Sequence, residues 1–231
     1  MSASNLIIEN GILTKHTFVS DYEAEVVIPR GTIAIGENVF RGDNRIKSVS
    51  IPDSVTRIED CAFQSCTGLS AVIIPGSVKT IGSLAFEYCE SLQSLTILNG
   101  VTTIEDYAFK DCNKLTSVVI PESVTKLESG AFCSCESLLS VNIPSNILVI
   151  REALFSSCYS LKTVIIQRGI VAIEAEAFSY CKNLRQVFIP ETVTWIAEDA
   201  FEDCPDLTFY APSGSFAETY AKDKGIAFIA V

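Results

Sequence analysis

The sequence predicts an α/β solenoid, a stack of near-identical coils with a cap at each end. Three observations predict it. A Phe recurs at 40, 63, 86, 109, 132, 155, 178 and 201, every 23 residues without a gap. An Ile recurs at the same interval at 28, 51, 74, 97, 120, 143, 166 and 189, and Pro follows it except where Leu98 and Gln167 stand. A Cys lies three residues after each Phe from Cys66 to Cys204, with Asp43 in that place in the first unit. Self-similarity at a fixed period of this size is the signature of a repeat architecture.

One unit reads I-P-x-x-V-x-x-I-x-x-x-A-F-x-x-C-x-x-L-x-x-V-x, and eight units run from Ile28 to Ala211 with no insertion. A unit this short has too little apolar surface to bury alone, so copies stack and share one core. The L-x-x-V-x-I part, as in Leu69 to Ile74, alternates apolar and variable positions like a half-buried strand. Stacked, these strands form a parallel sheet with a spacing of about 4.8 Å. Pro after the Ile ends the strand, because it has no N–H to donate. The V-x-x-I stretch, as in Val55 to Ile58, is short and extended or turn-like. The x-x-x-A-F-x-x-C stretch predicts about one turn of helix with Ala and Cys on one face. The small Ala lets the Phe rings of adjacent coils stack into an inner spine.

The ends differ from the repeat. Residues 1–27 read as an N-terminal cap: Asn10-Gly11 between two strand-like runs is a type I′ hairpin signal. Residues 28–211 hold the eight repeats. Residues 212–231 read as a C-terminal cap. There Ser215 and Glu218 form a capping box, and Phe216, Ala217, Tyr220 and Ala221 make an apolar helix face. Gly225 ends the helix, and Ile226 to Val231 form a last strand. Two caps imply a finite, monomeric array.

Composition narrows the function. With 17 basic and 28 acidic residues the formal net charge is -11, which disfavours counterion-releasing contacts to nucleic acid and docking on anionic membranes. No apolar run is long enough to insert in a membrane. Met1 to Asn10 has neither a basic start nor a sustained apolar stretch, so it does not read as a secretory signal. As written the chain reads as cytoplasmic, or as a surface protein if a signal was removed.

Seven of the nine Cys occupy one repeat column and read as small buried hydrophobes. Cys133 is the odd one, in a variable column with Arg41, Gln64, Glu87, Lys110, Ser156, Ser179 and Glu202, and is expected to face solvent. The single His16 lies outside the repeats, so neither a metal site nor a Ser-His-Asp triad is predicted. The pairs Glu59-Asp60, Glu105-Asp106 and Glu198-Asp199 recur at one repeat position and read as a solvated convex ridge. Trp195 reads as surface decoration. No phosphate-binding loop or nucleophile elbow is present. No catalytic residue, metal or cofactor is predicted, and the chain reads as a non-enzyme.

The A-F-x-x-C-x-x-L-x-x-V-x-I-P core, repeated through residues 28–211, resembles the leucine-rich repeat of the BspA-like type. The final helix and strand are similar to the terminal cap of such chains. The resemblance implies a horseshoe or arc with a parallel sheet on its concave face and short helical turns opposite. Members are commonly surface proteins engaged in adhesion or host interaction. A binding module for a protein or glycan follows, acting through the outward residues of that sheet: Ile73, Ser94, Thr96, Ser117, Val119, Ser140, Asn142, Thr163, Ile165, Gln186, Phe188 and Phe209. A structural or self-assembly element is the alternative.

Overall fold

Each 23-residue unit makes one three-sided coil, because its apolar columns fall on three inward-facing stretches separated by tight turns. The computed structural model describes residues 4–18 and 24–231. Residues 1–3 and 19–23 of the expected N-terminal cap lie outside them. The chain opens with an antiparallel hairpin of β1 (Ser4–Glu9) and β2 (Ile12–Phe18), whose turn residues Asn10 and Gly11 both have positive φ, as a type I′ turn requires.

Longer strands and two-residue strands then alternate. They are β3 (Ala24–Val27), β4 (Ala34–Ile35), β5 (Ile46–Ser50), β6 (Arg57–Ile58), β7 (Ala71–Ile74), β8 (Thr80–Ile81), β9 (Ser94–Ile97) and β10 (Thr103–Ile104). The second half continues with β11 (Ser117–Val119), β12 (Lys126–Leu127), β13 (Ser140–Asn142), β14 (Val149–Ile150), β15 (Thr163–Ile165) and β16 (Ala172–Ile173). The chain closes with β17 (Gln186–Phe188), β18 (Trp195–Ile196), β19 (Thr208–Ala211), α1 (Phe216–Lys224) and β20 (Ala227–Ala230).

The longer strands pair in parallel as β3-β5-β7-β9, β11-β13 and β15-β17-β19-β20. The short strands pair as β2-β4-β6-β8-β10-β12, with β1 outside β2, and as β14-β16-β18. Register advances by one repeat, so Ala71 pairs with Ser94 and Thr163 with Gln186. Between the two sheets the backbone turns at every Pro, Val55 N–H donating to the Pro52 carbonyl and Val78 N–H to Pro75. The same turn forms at Gln167, where Ile170 N–H closes it at 3.2 Å.

The third side is not the helical turn that the sequence predicts. In the first seven coils two residues of each x-x-x-A-F-x-x-C stretch adopt left-handed backbone, among them Cys61 and Ser65, Leu84 and Tyr88, Tyr107 and Asp111, and Ala153 and Ser157, and in the last coil Asp203 does. Successive N–H groups then alternate between two acceptors. Val39, Arg41 and Asp43 close turns within their coil, onto Gly36, Asn38 and Phe40. Asn38, Phe40 and Gly42 donate to Asp60, Ala62 and Gln64 of the next coil at 2.7–3.1 Å. A helix would satisfy these groups internally and leave adjacent coils unbonded. Left-handed backbone costs a non-glycine residue roughly 1–2 kcal/mol, and the inter-coil bonds offset it.

The core is the stacked Phe column. Rings from Phe40 to Phe201 lie 4.8–6.0 Å apart and within 17° of parallel. All but Phe201 are at most 1% exposed. His16 covers the first ring at 4.8 Å. Phe209 packs edge-on against the last at 5.0 Å, with Tyr220 of α1 beside it. Each column Cys from Cys66 to Cys181 is a core residue, with Cys204 packed against the core, and each thiol donates to a Phe carbonyl of the preceding coil, at 3.0 Å from Cys66 to Phe40 and 3.3 Å from Cys135 to Phe109. Asp43, in the Cys place of the first coil, instead holds Arg45 and lies 3.7 Å from His16.

At the other end, the Ser215 hydroxyl accepts from Glu218 N–H, and the Glu218 carboxylate accepts from Gly214 N–H. Gly225 takes the left-handed conformation that ends α1. Ala217, Tyr220 and Ala221 are buried against the last coil, whereas Phe216 is 40% exposed and lies off the expected apolar face.

One expectation about spacing is corrected. The last coil is a residue short between Leu207 and its strand, so Phe209 pairs with Val187 and Tyr210 with Phe188. Phe209 therefore points inward and is fully buried.

Candidate binding face

The outward residues of the longer strands line up across the sheet because stacking keeps their register. One row runs Ser48, Ala71, Ser94, Ser117, Ser140, Thr163, Gln186 and Thr208. The next includes Val27, Ser50, Ile73, Thr96, Val119, Asn142, Ile165, Phe188, Tyr210 and Ile229. Ile73, Val119 and Ile165 are 59%, 71% and 56% exposed, an apolar side chain on every second coil with Ser50, Thr96 and Asn142 in the coils between. On the longer strands β7, β9, β11, β13, β15 and β17 no outward residue is ionisable. In a chain with 45 acidic and basic residues, summed from 17 and 28, this face stands apart.

Of the residues predicted to bind, Ile73, Ser94, Thr96, Ser117, Val119, Ser140 and Ile165 are exposed, and Asn142, Thr163, Gln186 and Phe188 are half-buried. Phe209 does not belong with them, for the register reason given above. Tyr210 takes its place, a residue that the constant 23-residue spacing assigned to no outward row. The Ala211-Pro212 pair, standing for Ile189-Pro190, was the available sequence signal for the missing residue. Phe188 and Tyr210 stack at 4.7 Å, and the Gln186 amide donates to the Tyr210 hydroxyl at 3.2 Å. Asn142 is turned back on the sheet: its side chain accepts from Ile120 N–H and donates to Ile120 C=O, both at 2.8 Å. It replaces a backbone ladder bond and is occupied.

Other candidate chemistry is taken up by the fold. Asp60 and Asp106 accept from the N–H groups of Ser83 and Ser129 in the following coil, each at 3.0 Å. The Glu59 carboxylate holds Arg57 and Glu37 N–H. The variable column after Phe, expected to face solvent, largely does not. Gln64, Glu87, Ser156 and Ser179 are buried and bond along the stack, Gln64 to Glu87, Glu87 to Lys110 and Ser156 to Ser179. Cys133 in this column is half-buried, and burial pushes its thiol above the ordinary value. The cleft beneath α1 gathers Glu198, Asp199, Glu202 and Asp203 beside Cys204. Burial pushes the Cys204 thiol up to about 11, away from a reactive thiolate. Trp195 is 48% exposed and pairs with Ala172 on the short-strand side. Among the described residues no group of three or more His, Cys, Asp or Glu converges as metal ligands would.

A family model for the BspA-type leucine-rich-repeat region matches residues 12–127 and 102–218, in six copies. The chain belongs to the BspA-type leucine-rich-repeat family. Solved structures agree in fold. A leucine-rich repeat protein of Bacteroides ovatus superposes with a TM-score of 0.68 at 24% identity, covering 91% of this chain and 69% of that one. The Treponema pallidum leucine-rich repeat protein gives 0.67 at 24%, covering 99% and 97%. A leucine-rich repeat protein from Eubacterium ventriosum gives 0.60 at 26%, covering 79% and 59%. A search of curated proteins found no match. The family model and these structures are all of leucine-rich repeat proteins.

Proposed function

We propose that this protein is a non-catalytic binding module that holds a macromolecule against the face of its longer strands. The observation that carries this reading is the row of Ile73, Val119 and Ile165, more than half exposed on strands whose outward residues from β7 to β17 on the long-strand side carry no charge. Such an apolar patch on an otherwise acidic chain marks an interaction site. Sheet propensity explains β-branched residues in strands, but the same propensity is met by Thr, as at Thr96. Asp60, Asp106, Glu122 and Glu174 are engaged in bonds between coils, and among the described residues no histidine, cysteine or carboxylate stands in the outward rows from β7 to β17, which supports a reading of binding and not of turnover.

The test is affinity capture from native extract with the purified protein and a Val119→Glu variant. Val119 is 71% exposed, so the charge leaves folding intact while breaking an apolar contact. Capture lost in the variant supports the reading. Equal capture by both forms places the contact elsewhere and overturns it.

A further inference from the structure

The face described above favours one class of occupant, and this inference rests on the reading of it as a binding face. Ser94, Ser117 and Ser140 stand in adjacent coils, and all three are exposed. Ser117 and Ser140 are register partners. Thr96 stands beside them on β9, exposed as well. Among the described residues, none gives these four hydroxyls a hydrogen-bonding partner. They differ from Ser123 and Thr192, whose hydroxyls are tied to neighbouring carbonyls at 2.7 and 2.8 Å. The face thus presents free donors and acceptors at one strand spacing, about 4.8 Å, flanked by aliphatic side chains, with no ionisable outward residue on the longer strands from β7 to β17.

Charge selects against most macromolecules. A nucleic acid needs cations, and neither an acidic nor a basic peptide gains a partner here. Spacing selects further. An extended peptide laid across the strands presents same-side groups about every 6.7 Å, out of step with the hydroxyl row after two coils. A ligand that is uncharged, extended, amphipathic and rich in hydroxyls matches the uncharged row of hydroxyl and aliphatic side chains. We propose that the long-strand face binds a neutral, extended polysaccharide lying along the solenoid axis. Sugar hydroxyls meet Ser94, Thr96, Ser117 and Ser140, and the apolar sugar faces rest on Ile73, Val119 and Ile165. The stacked pair of Phe188 and Tyr210 covers one another's ring faces and bounds the strip.

The probes are β-1,4-linked cello-, xylo- and manno-oligosaccharides of two to six units, titrated calorimetrically against the intact chain. At least one series binds, with hexamer tighter than dimer by about tenfold or more, since each added contact adds a hydrogen bond's worth of affinity. Raising the salt leaves the affinity unchanged. The triple variant Ser94→Val, Ser117→Val and Ser140→Val keeps β-propensity and loses at least about tenfold. Absence of binding by all three series overturns the polysaccharide assignment, as does binding that is independent of length or of the serines. If capture of a protein is nonetheless lost in Val119→Glu, the face binds protein and the broader reading stands. If both assays fail, both readings fall.

Discussion

Phe109 provides the sharpest test of the core. Its ring is fully buried between Phe86 at 5.2 Å and Phe132 at 5.3 Å, within 8° of parallel to each. Removing a buried Phe to Ala costs about 3–5 kcal/mol. Two parallel neighbours lose their contacts, each such pair contributing roughly 0.5–1.5 kcal/mol, and coils on either side restrict collapse of the void. Phe109→Ala therefore belongs at the upper end, near 5 kcal/mol. A solenoid couples each coil only to its neighbours, so the loss also divides the molecule. Urea unfolding followed by circular dichroism reports the whole stack. Fluorescence of the single Trp195, in the last coil, reports the C-terminal part. The two transitions, coincident in the parent, separate in Phe109→Ala. A loss below about 1 kcal/mol, with coincident transitions, would refute the continuous spine.

Further outcomes follow from the same contacts. Ala153→Gly, at a residue with φ of 52°, is neutral or stabilising in thermal melts, because relief of left-handed strain offsets the entropy of glycine; a helical residue would lose roughly 0.5–1 kcal/mol. Asn142→Ala costs about 1–3 kcal/mol by leaving the buried Ile120 N–H and C=O unpaired, and urea midpoints measure it; no loss would show that the bonds are dispensable. Burial pushes the Cys66 thiol up to about 12 and the Cys204 thiol to about 11. Both therefore keep their protons in the fold while the unfolded chain ionises near 9. Their contribution is present below pH 9 and is lost as pH rises towards 11, so chemical unfolding midpoints fall over that window. Alkylation of thiols at pH 7, read by mass, tracks unfolding; rapid labelling of Cys133 in the folded protein would contradict its raised thiol value.

The sequence by itself determined the parts that repeat. Columns of Phe, Cys, Leu and Ile at a fixed interval dictate parallel stacking, since only stacked copies bury them all, and Asn10-Gly11 and Ser215 with Glu218 carry local turn and helix chemistry. Tertiary structure decided three other things. The A-F-x-x-C stretch became a ladder of turns because Leu84, Tyr107 and Ala153 accept left-handed backbone in exchange for bonds to the next coil, and a non-glycine residue gives no sequence sign of positive φ. Gln64 and Glu87 became buried because a stacked neighbour supplies each polar partner, which composition alone does not reveal. Phe209 turned inward because its strand pairs with Val187 and not with Gln186: in a strand with two faces, one missing residue exchanges inside for outside.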